Sequence, residues 1–258
     1  MRRWVPRRLQ HGEEATLVEH LDELRSRLII SIVVLVPAFL LAFAFHNELI
    51  SWLMAPLPDD KKLVTLGVTE PFTTSVKVSL IAAIALALPV ILWQVWSFLS
   101  PAVEQHHQRV VLTLVGIATA LFVCGVLFMY YVVLPRALDF LTNFDDELYD
   151  EQIRASYYLS FVSWTLLAGG LAFLMPIFVI GLVRLRVLNS GVLRRNRRTA
   201  YVGLLVFAIL LPTVDPVSLA FETIPLFILF EMSIWLSVLL ERRWRSDWDD
   251  ELFESGAL

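Results

Sequence analysis

Long apolar runs alternate with short charged stretches along this chain of 258 residues. Six runs stand out, at 28–45, 78–99, 110–134, 157–183, 199–214 and 217–240. Most reach the roughly 20 residues that a helix needs to cross the hydrocarbon core of a bilayer. Lipid offers nothing to hydrogen-bond a peptide group, so each crossing segment must satisfy its own N–H and C=O groups as a helix. The pattern predicts an all-α, polytopic membrane protein with six transmembrane helices. It forms a single integral membrane domain over 1–258, with a charged N-terminal segment at 1–27 and a polar C-terminal tail at 241–258.

The charges between the runs give the orientation. Of the 21 Lys and Arg residues, only Lys61, Lys62, Lys77, Arg136 and Arg154 fall on the side opposite the N-terminus; the other 16 share its side. The excess of Lys and Arg marks the cytoplasmic face, so both termini are expected in the cytoplasm of a multi-pass protein of the plasma membrane. The stretch holding Asp145, Asp146, Glu147, Asp150 and Glu151 is then an outer loop. Arg2 and Arg3 read as a basic cytoplasmic tail, because the first apolar run starts about 25 residues later, is too long for a signal-peptide core and has no small-residue cleavage site after it.

Composition agrees with this reading: 57% of residues are hydrophobic and 18% charged, with a mean hydropathy of +0.68. The net charge of −4 is divided between two sides and points to no nucleic-acid partner. Several chemistries are missing. There is no G-x-x-x-x-G-K-[ST] for nucleotide phosphates and no G-x-S-x-G elbow. None of the five histidines (His11, His20, His46, His106, His107) falls mid-membrane to serve as a base. Cys124 is the single cysteine, so neither a disulfide nor a cysteine metal site is expected. No enzyme, cofactor or metal site is indicated. Without visible repeats, an inverted-repeat transporter gains no support. Pro37, Pro89, Pro176 and Pro225 lie within the runs, where each removes an N–H and bends a helix.

The most informative segment precedes the first run: Glu19, His20, Leu21, Asp22, Glu23, Leu24, Arg25, Ser26, Arg27. Glu23 and Arg27 have the favourable i,i+4 order for a helical ion pair worth about 0.2–0.5 kcal/mol. Glu23 also has the chemistry to bind a cationic peptide. A second cytoplasmic stretch runs from Trp93 through Trp96, Phe98 and Pro101 to Glu104, His107 and Arg109. Its aromatics suit the bilayer interface, and Glu104 beside them suits an extended basic ligand.

His20-Leu21-x-Glu23-Leu24-Arg25-x-Arg27 resembles the N-terminal signature of the TatC family, the receptor component of the twin-arginine protein translocase. Further matches follow in order: Ala55-Pro56-Leu57, Glu70-Pro71-Phe72, Pro89 to Gln94-x-Trp96-x-Phe98-x-x-Pro101, Phe128 to Pro135, Tyr158 to Phe161, Phe173-x-x-Pro176, Asp215-Pro216, Ile224-Pro225 and Phe230-Glu231. The resemblance covers about 17–243. It implies a glove-shaped, concave helical bundle that receives the paired arginines of folded export substrates. It further implies small single-span partners of the TatA/TatB type, a homo-oligomeric receptor complex in the lipid membrane, and transport driven by the proton motive force. Carried over, Glu23 contacts the arginines, and Arg25, Arg27, Pro56, Phe72 and Phe98 support recognition or shape. A bidentate carboxylate–guanidinium contact explains why lysine substitutes poorly.

The chain departs from the family at two places. The usual glutamate six residues after Pro101 is His107, so Glu104 is expected to stand in. The frequent glutamate or glutamine of the fourth span is Leu174. Glu222, in the sixth span where the family is usually apolar, is expected to face the bundle interior and to supply the missing buried polar group. The fifth run is short: 16 residues between Arg198 and Asp215 reach about 24 Å against a core of ~30 Å, so local thinning of the bilayer is expected. The competing reading is a proton-coupled secondary transporter of a small solute, working through Glu222, Glu231 or Asp215.

Overall fold

The computed structural model describes residues 17–58, 61–99, 108–144, 152–184, 190–209 and 216–254. They form α1 (Leu17–Ala44), α2 (His46–Met54), β1 (Leu63–Val64), α3 (Glu70–Leu99) and α4 (Gln108–Phe128). A π-helical segment (Met129–Val133) leads into α5 (Leu134–Thr142), followed by β2 (Ile153–Arg154), α6 (Ala155–Ala172), α7 (Met175–Arg184), α8 (Ser190–Arg195), α9 (Arg197–Ile209) and α10 (Pro216–Glu254). Among these residues five stretches are long and apolar enough to cross a membrane: Leu21–Ala44, Glu70–Phe98, Leu112–Thr142, Ala155–Val183 and Leu219–Glu241. The fifth expected run appears as α9, which has 13 residues and so a length of about 20 Å; 210–215 lie outside the described residues.

The helices outrun the apolar patterns that foretold them. α3 begins at Glu70, eight residues before the run at 78–99. α10 stays helical to Glu254, so the tail expected from 241 continues the sixth span. The fourth span is broken at Phe173–Leu174, with i+3 bonds from Leu174 N to Leu171 O and from Ile177 N to Leu174 O at 3.0 Å each. Pro176 explains the break: it has no N–H for the Ala172 carbonyl, and its ring crowds that same carbonyl. Pro37, Pro89 and Pro225 are carried inside α1, α3 and α10. Two short strands were not foreseen: β1 and β2 pair in parallel, Leu63 with Ile153 and Val64 with Arg154.

The broken fourth span is the centre of the bundle, with 67% of its most apolar window buried, against 6% for α1. α1 therefore leans on α3 and turns most of its side chains to lipid. One core cluster lies toward the end where α3 begins and includes Leu53, Val78, Tyr130, Val133, Leu134, Tyr158 and Val162. The other, toward the end where α3 finishes, includes Leu88, Leu92, Trp96, Phe122, Leu174 and Ile177. Between membrane helices the drive is close contact rather than water exclusion, and Gly125, Gly169, Gly170 and Gly181 supply it. A Cβ on Gly170 would come within 2.7 Å of the Phe122 ring, and one on Gly181 within 2.0 Å of the Trp96 indole.

Candidate functional site: a charged rim and a clasped cap

Near the N-terminal end of α1, one helical turn brings Arg27 onto Glu23. Arg27 Nη2 and Nε donate to the same carboxylate oxygen, Oε1, at 2.5 and 3.0 Å. Both side chains are about one-fifth exposed (19% and 20%). Arg25, two residues away, is exposed. α3 returns to this end and delivers Phe98, half-buried, next to the buried Trp96. The Trp96 indole sits on Gly181 and 6.3 Å from the Phe178 ring, tying the end of α3 to α7. Glu104 and His107 lie outside the described residues. Of the expected recognition set, Glu23, Arg25, Arg27 and Phe98 thus share one end of the bundle.

Pro56 and Phe72 do not share it. Pro56 follows α2 and is half-buried, and Phe72 is two residues into α3 and 67% exposed. Phe72 and Phe98 are 26 residues apart on one helix, about 39 Å. These two motif residues belong to a cap at the end of the bundle opposite Glu23.

Glu70 organises that cap. Its carboxylate is 5% exposed and accepts four hydrogen bonds. Oε2 takes the backbone N–H of Leu66 at 2.9 Å and of Gly67 at 3.2 Å. Oε1 takes Arg154 Nε at 2.8 Å and the Ser156 N–H at 3.3 Å. Ser156 is in the first turn of α6, where N–H groups lack helical partners and negative charge suits the macrodipole. One side chain therefore closes the loop before α3, pairs with the cation at the end of β2 and caps the fourth span. The Glu70 carboxylate in turn raises the Arg154 guanidinium above its ordinary value, and Arg154 stacks 5.2 Å from the Tyr157 ring centre. Two phenols complete the cap. Tyr130 OH donates to Trp52 O at 2.8 Å and Tyr158 OH to Leu53 O at 3.0 Å, satisfying carbonyls in the last turn of α2. The Tyr130 and Trp52 rings stack at 4.0 Å.

The sixth span carries two glutamates with different surroundings. Glu231 joins α10 to the start of α9: Tyr201 OH donates to Oε1 and Arg197 Nη1 lies 3.4 Å from Oε2. Tyr201 also packs on Phe227 and Phe230. Glu222 is 3% exposed and lines a cavity of about 10 Å³ with Phe128, Met129, Gly169, Ala172, Phe173 and Leu226. The expected inward direction of Glu222 therefore brings it to the residues just before Leu174. Asp215 lies outside the described residues.

A family model described as "Sec-independent protein translocase protein (TatC)" matches residues 19–225. The chain is 33% identical to the Sec-independent protein translocase protein TatC of Carboxydothermus hydrogenoformans, over 88% of this chain and 94% of that one. It is 34% identical to the TatC of Escherichia coli K12, over 86% and 87%. A crystal structure of the twin-arginine translocase receptor TatC in DDM superposes with a TM-score of 0.76 at 35% identity, covering 84% of this chain and 99% of that chain. The chain belongs to the TatC family. Within this TatC protein the reading of motifs missed one role. Glu70 was visible only as part of Glu70-Pro71-Phe72; the signal for its role is an acid directly before a helix-starting proline, facing an arginine 84 residues on. Pro56 and Phe72, expected to support recognition or shape, stand at the end of the bundle away from Glu23, a division that a linear motif does not reveal.

Proposed function

We propose that this TatC protein is the receptor and core translocation subunit for folded proteins bearing twin-arginine signals, with Glu23 as a direct ligand of the signal. The supporting observation is the partly exposed Glu23 carboxylate at the end of α1, whose pairing with Arg27 uses a single oxygen. A carboxylate has about four lone-pair sites, so Oε2 can take a second guanidinium without loss of the first. Arg27 then sets the carboxylate's direction, and Phe98 offers an apolar wall. Glu104 supplies a second carboxylate from the following loop, and His107 contributes only when neutral, because its cation repels arginine.

Further features of this reading follow from charge and length. The 16-to-5 division of Lys and Arg favours six crossings with both termini in the cytoplasm. The shortness of α9 favours a thinned bilayer beside it, which lowers the barrier to a passing protein. Small single-span TatA/TatB-type subunits and further copies of the receptor complete the assembly. The transporter alternative needs a sixth-span carboxylate able to exchange ligands, whereas both oxygens of Glu231 are engaged by Arg197 and Tyr201.

Crosslinking a twin-arginine signal peptide to the protein in membranes tests the assignment. Charge-assisted bonds worth about 1.5–3 kcal/mol predict a loss of roughly 10-fold or more in apparent affinity for Glu23→Ala, with a further loss when Glu104→Ala is added. Undiminished crosslinking in both variants overturns it. For the thinning route, four leucines inserted after Leu205 leave signal crosslinking intact and reduce export; unchanged export refutes that part.

A further inference from the structure

A ligand for the proposed signal site is written into the same chain. The stretch Met1-Arg2-Arg3-Trp4-Val5-Pro6-Arg7-Arg8-Leu9 holds two arginine pairs and no acid. Each pair is followed at once by an apolar side chain, Trp4 or Leu9. Paired guanidiniums are what a carboxylate binds best, through bidentate, charge-assisted bonds. The residues that follow have the opposite balance. Between 10 and 27 stand Glu13, Glu14, Glu19, Asp22 and Glu23, five carboxylates, against the two arginines Arg25 and Arg27. The receptor role by itself gives the four N-terminal arginines no task.

The acceptor is close along the chain. α1 begins at Leu17, and Glu23 is six residues further on, about 9 Å along the helix. Eight residues, Gly12 among them, separate Arg8 from Leu17, a length that spans up to about 30 Å when extended. Arg7 and Arg8 therefore reach Glu23 with length to spare, and Arg2 and Arg3 have more. The Glu23 side chain is 19% exposed, and Arg27 binds it through Oε1. That pairing leaves the lone pairs of Oε2 for another guanidinium. Leu21 and Leu24, three residues apart and so on one face of α1, are both exposed. They offer an apolar landing next to the carboxylate.

We propose, on the reading of Glu23 as a ligand of the signal, that the N-terminal arginine pairs are a tethered competitor for the same carboxylate. Without a substrate, Arg7 and Arg8 bind the open edge of Glu23 and Leu9 rests on Leu21 and Leu24, with Arg2 and Arg3 as a second pair. A ligand on a short tether is presented at an effective concentration of about 1 mM. A pair with a dissociation constant of roughly 0.1–1 mM then raises the signal concentration needed for half-occupancy about 2- to 10-fold. An incoming signal has to outbind the tail. A sequence offering lysines, which lack the planar fork, is held off, and the receptor's selectivity is sharpened by its own N-terminus.

The full chain in membrane vesicles tests this. Combining Arg2→Lys, Arg3→Lys, Arg7→Lys and Arg8→Lys keeps the positive charge on which membrane orientation depends but removes the guanidinium forks. Half-maximal crosslinking of a twin-arginine signal peptide should then need about 2- to 10-fold less peptide. In a second arm, a photocrosslinking residue in place of Leu9 should join the tail to the stretch around Leu21 and Leu24. Excess signal peptide should abolish that product, and so should Glu23→Ala. An unchanged titration, or a tail crosslink that survives either treatment, overturns the competitor. If Glu23→Ala abolishes signal crosslinking while the lysine variant binds the signal as the parent does, the receptor assignment stands and the competitor falls. If Glu23→Ala leaves signal crosslinking intact, the two fall together.

Discussion

The two ends of the bundle are built on opposite principles. At the capped end, bonds connect residues far apart in sequence: Glu70 reaches Arg154 and Ser156, Tyr130 reaches Trp52, Tyr158 reaches Leu53, and β1 pairs with β2. At the end where α1 begins, the charged pair that the proposed function uses is a single helical turn, Glu23 with Arg27. The first arrangement fixes the positions of three spans and α2 at once. The second fixes only a side chain and leaves its carboxylate available for exchange with a ligand. Rigidity is concentrated where no recognition is proposed, and the recognition group is held by the weakest kind of pair.

Four substitutions, in falling order of expected effect on stability, test that contrast. Glu70→Ala removes the acceptor of four hydrogen bonds and leaves Arg154 without its carboxylate. The apparent melting temperature in detergent should fall by roughly 5–10 °C, and protease should cut between β1 and α3. A melting temperature within about 1 °C of the parent would show that the clasp is not what holds the cap. Gly181→Ala places a methyl group 2.0 Å from the Trp96 indole, an overpacking cost of about 1–3 kcal/mol. Combining it with Trp96→Leu should recover most of the loss, and failure to recover would place the strain elsewhere. Tyr158→Phe deletes one bond to the Leu53 carbonyl and should cost about 1 kcal/mol, seen as faster hydrogen exchange in the last turn of α2. Glu23→Gln, at the other end, should change stability by no more than about 0.5 kcal/mol yet weaken signal-peptide crosslinking. If it destabilises the protein as much as Glu70→Ala, the contrast between the two ends is wrong.

Much of the architecture was legible because bilayer thickness imposes a length and lipid imposes a helix. The runs at 28–45, 78–99, 110–134, 157–183 and 217–240 each reappear within a spanning helix. The eight residues from Glu70 to Lys77 escaped notice because hydropathy registers the lipid-facing part of a helix, whereas the first turns of α3 are held by polar bonds in the cap. The break at Phe173–Leu174 was signalled by Pro176, but a proline inside an apolar run does not say whether the helix continues, as through Pro37, or stops. The Glu23–Arg27 pair was readable from spacing alone, since four residues is one turn. The Glu70–Arg154 pair was not, because nothing local links residues 84 positions apart.

That separation has a consequence during synthesis. Span two leaves the ribosome with Glu70 at its first turn, but the cation that closes the clasp is made 84 residues later. At about 5–20 residues per second this is a delay of roughly 4–17 seconds. Throughout that interval the loop before α3 has its carboxylate but not its arginine, and the hairpin of α1 and α3 must stay in the membrane on its own helical hydrogen bonds. The clasp therefore acts as a completion mark. It forms only after the N-terminus of the fourth span has arrived beside α3, and a chain that stops or inverts before Arg154 never acquires the closed cap.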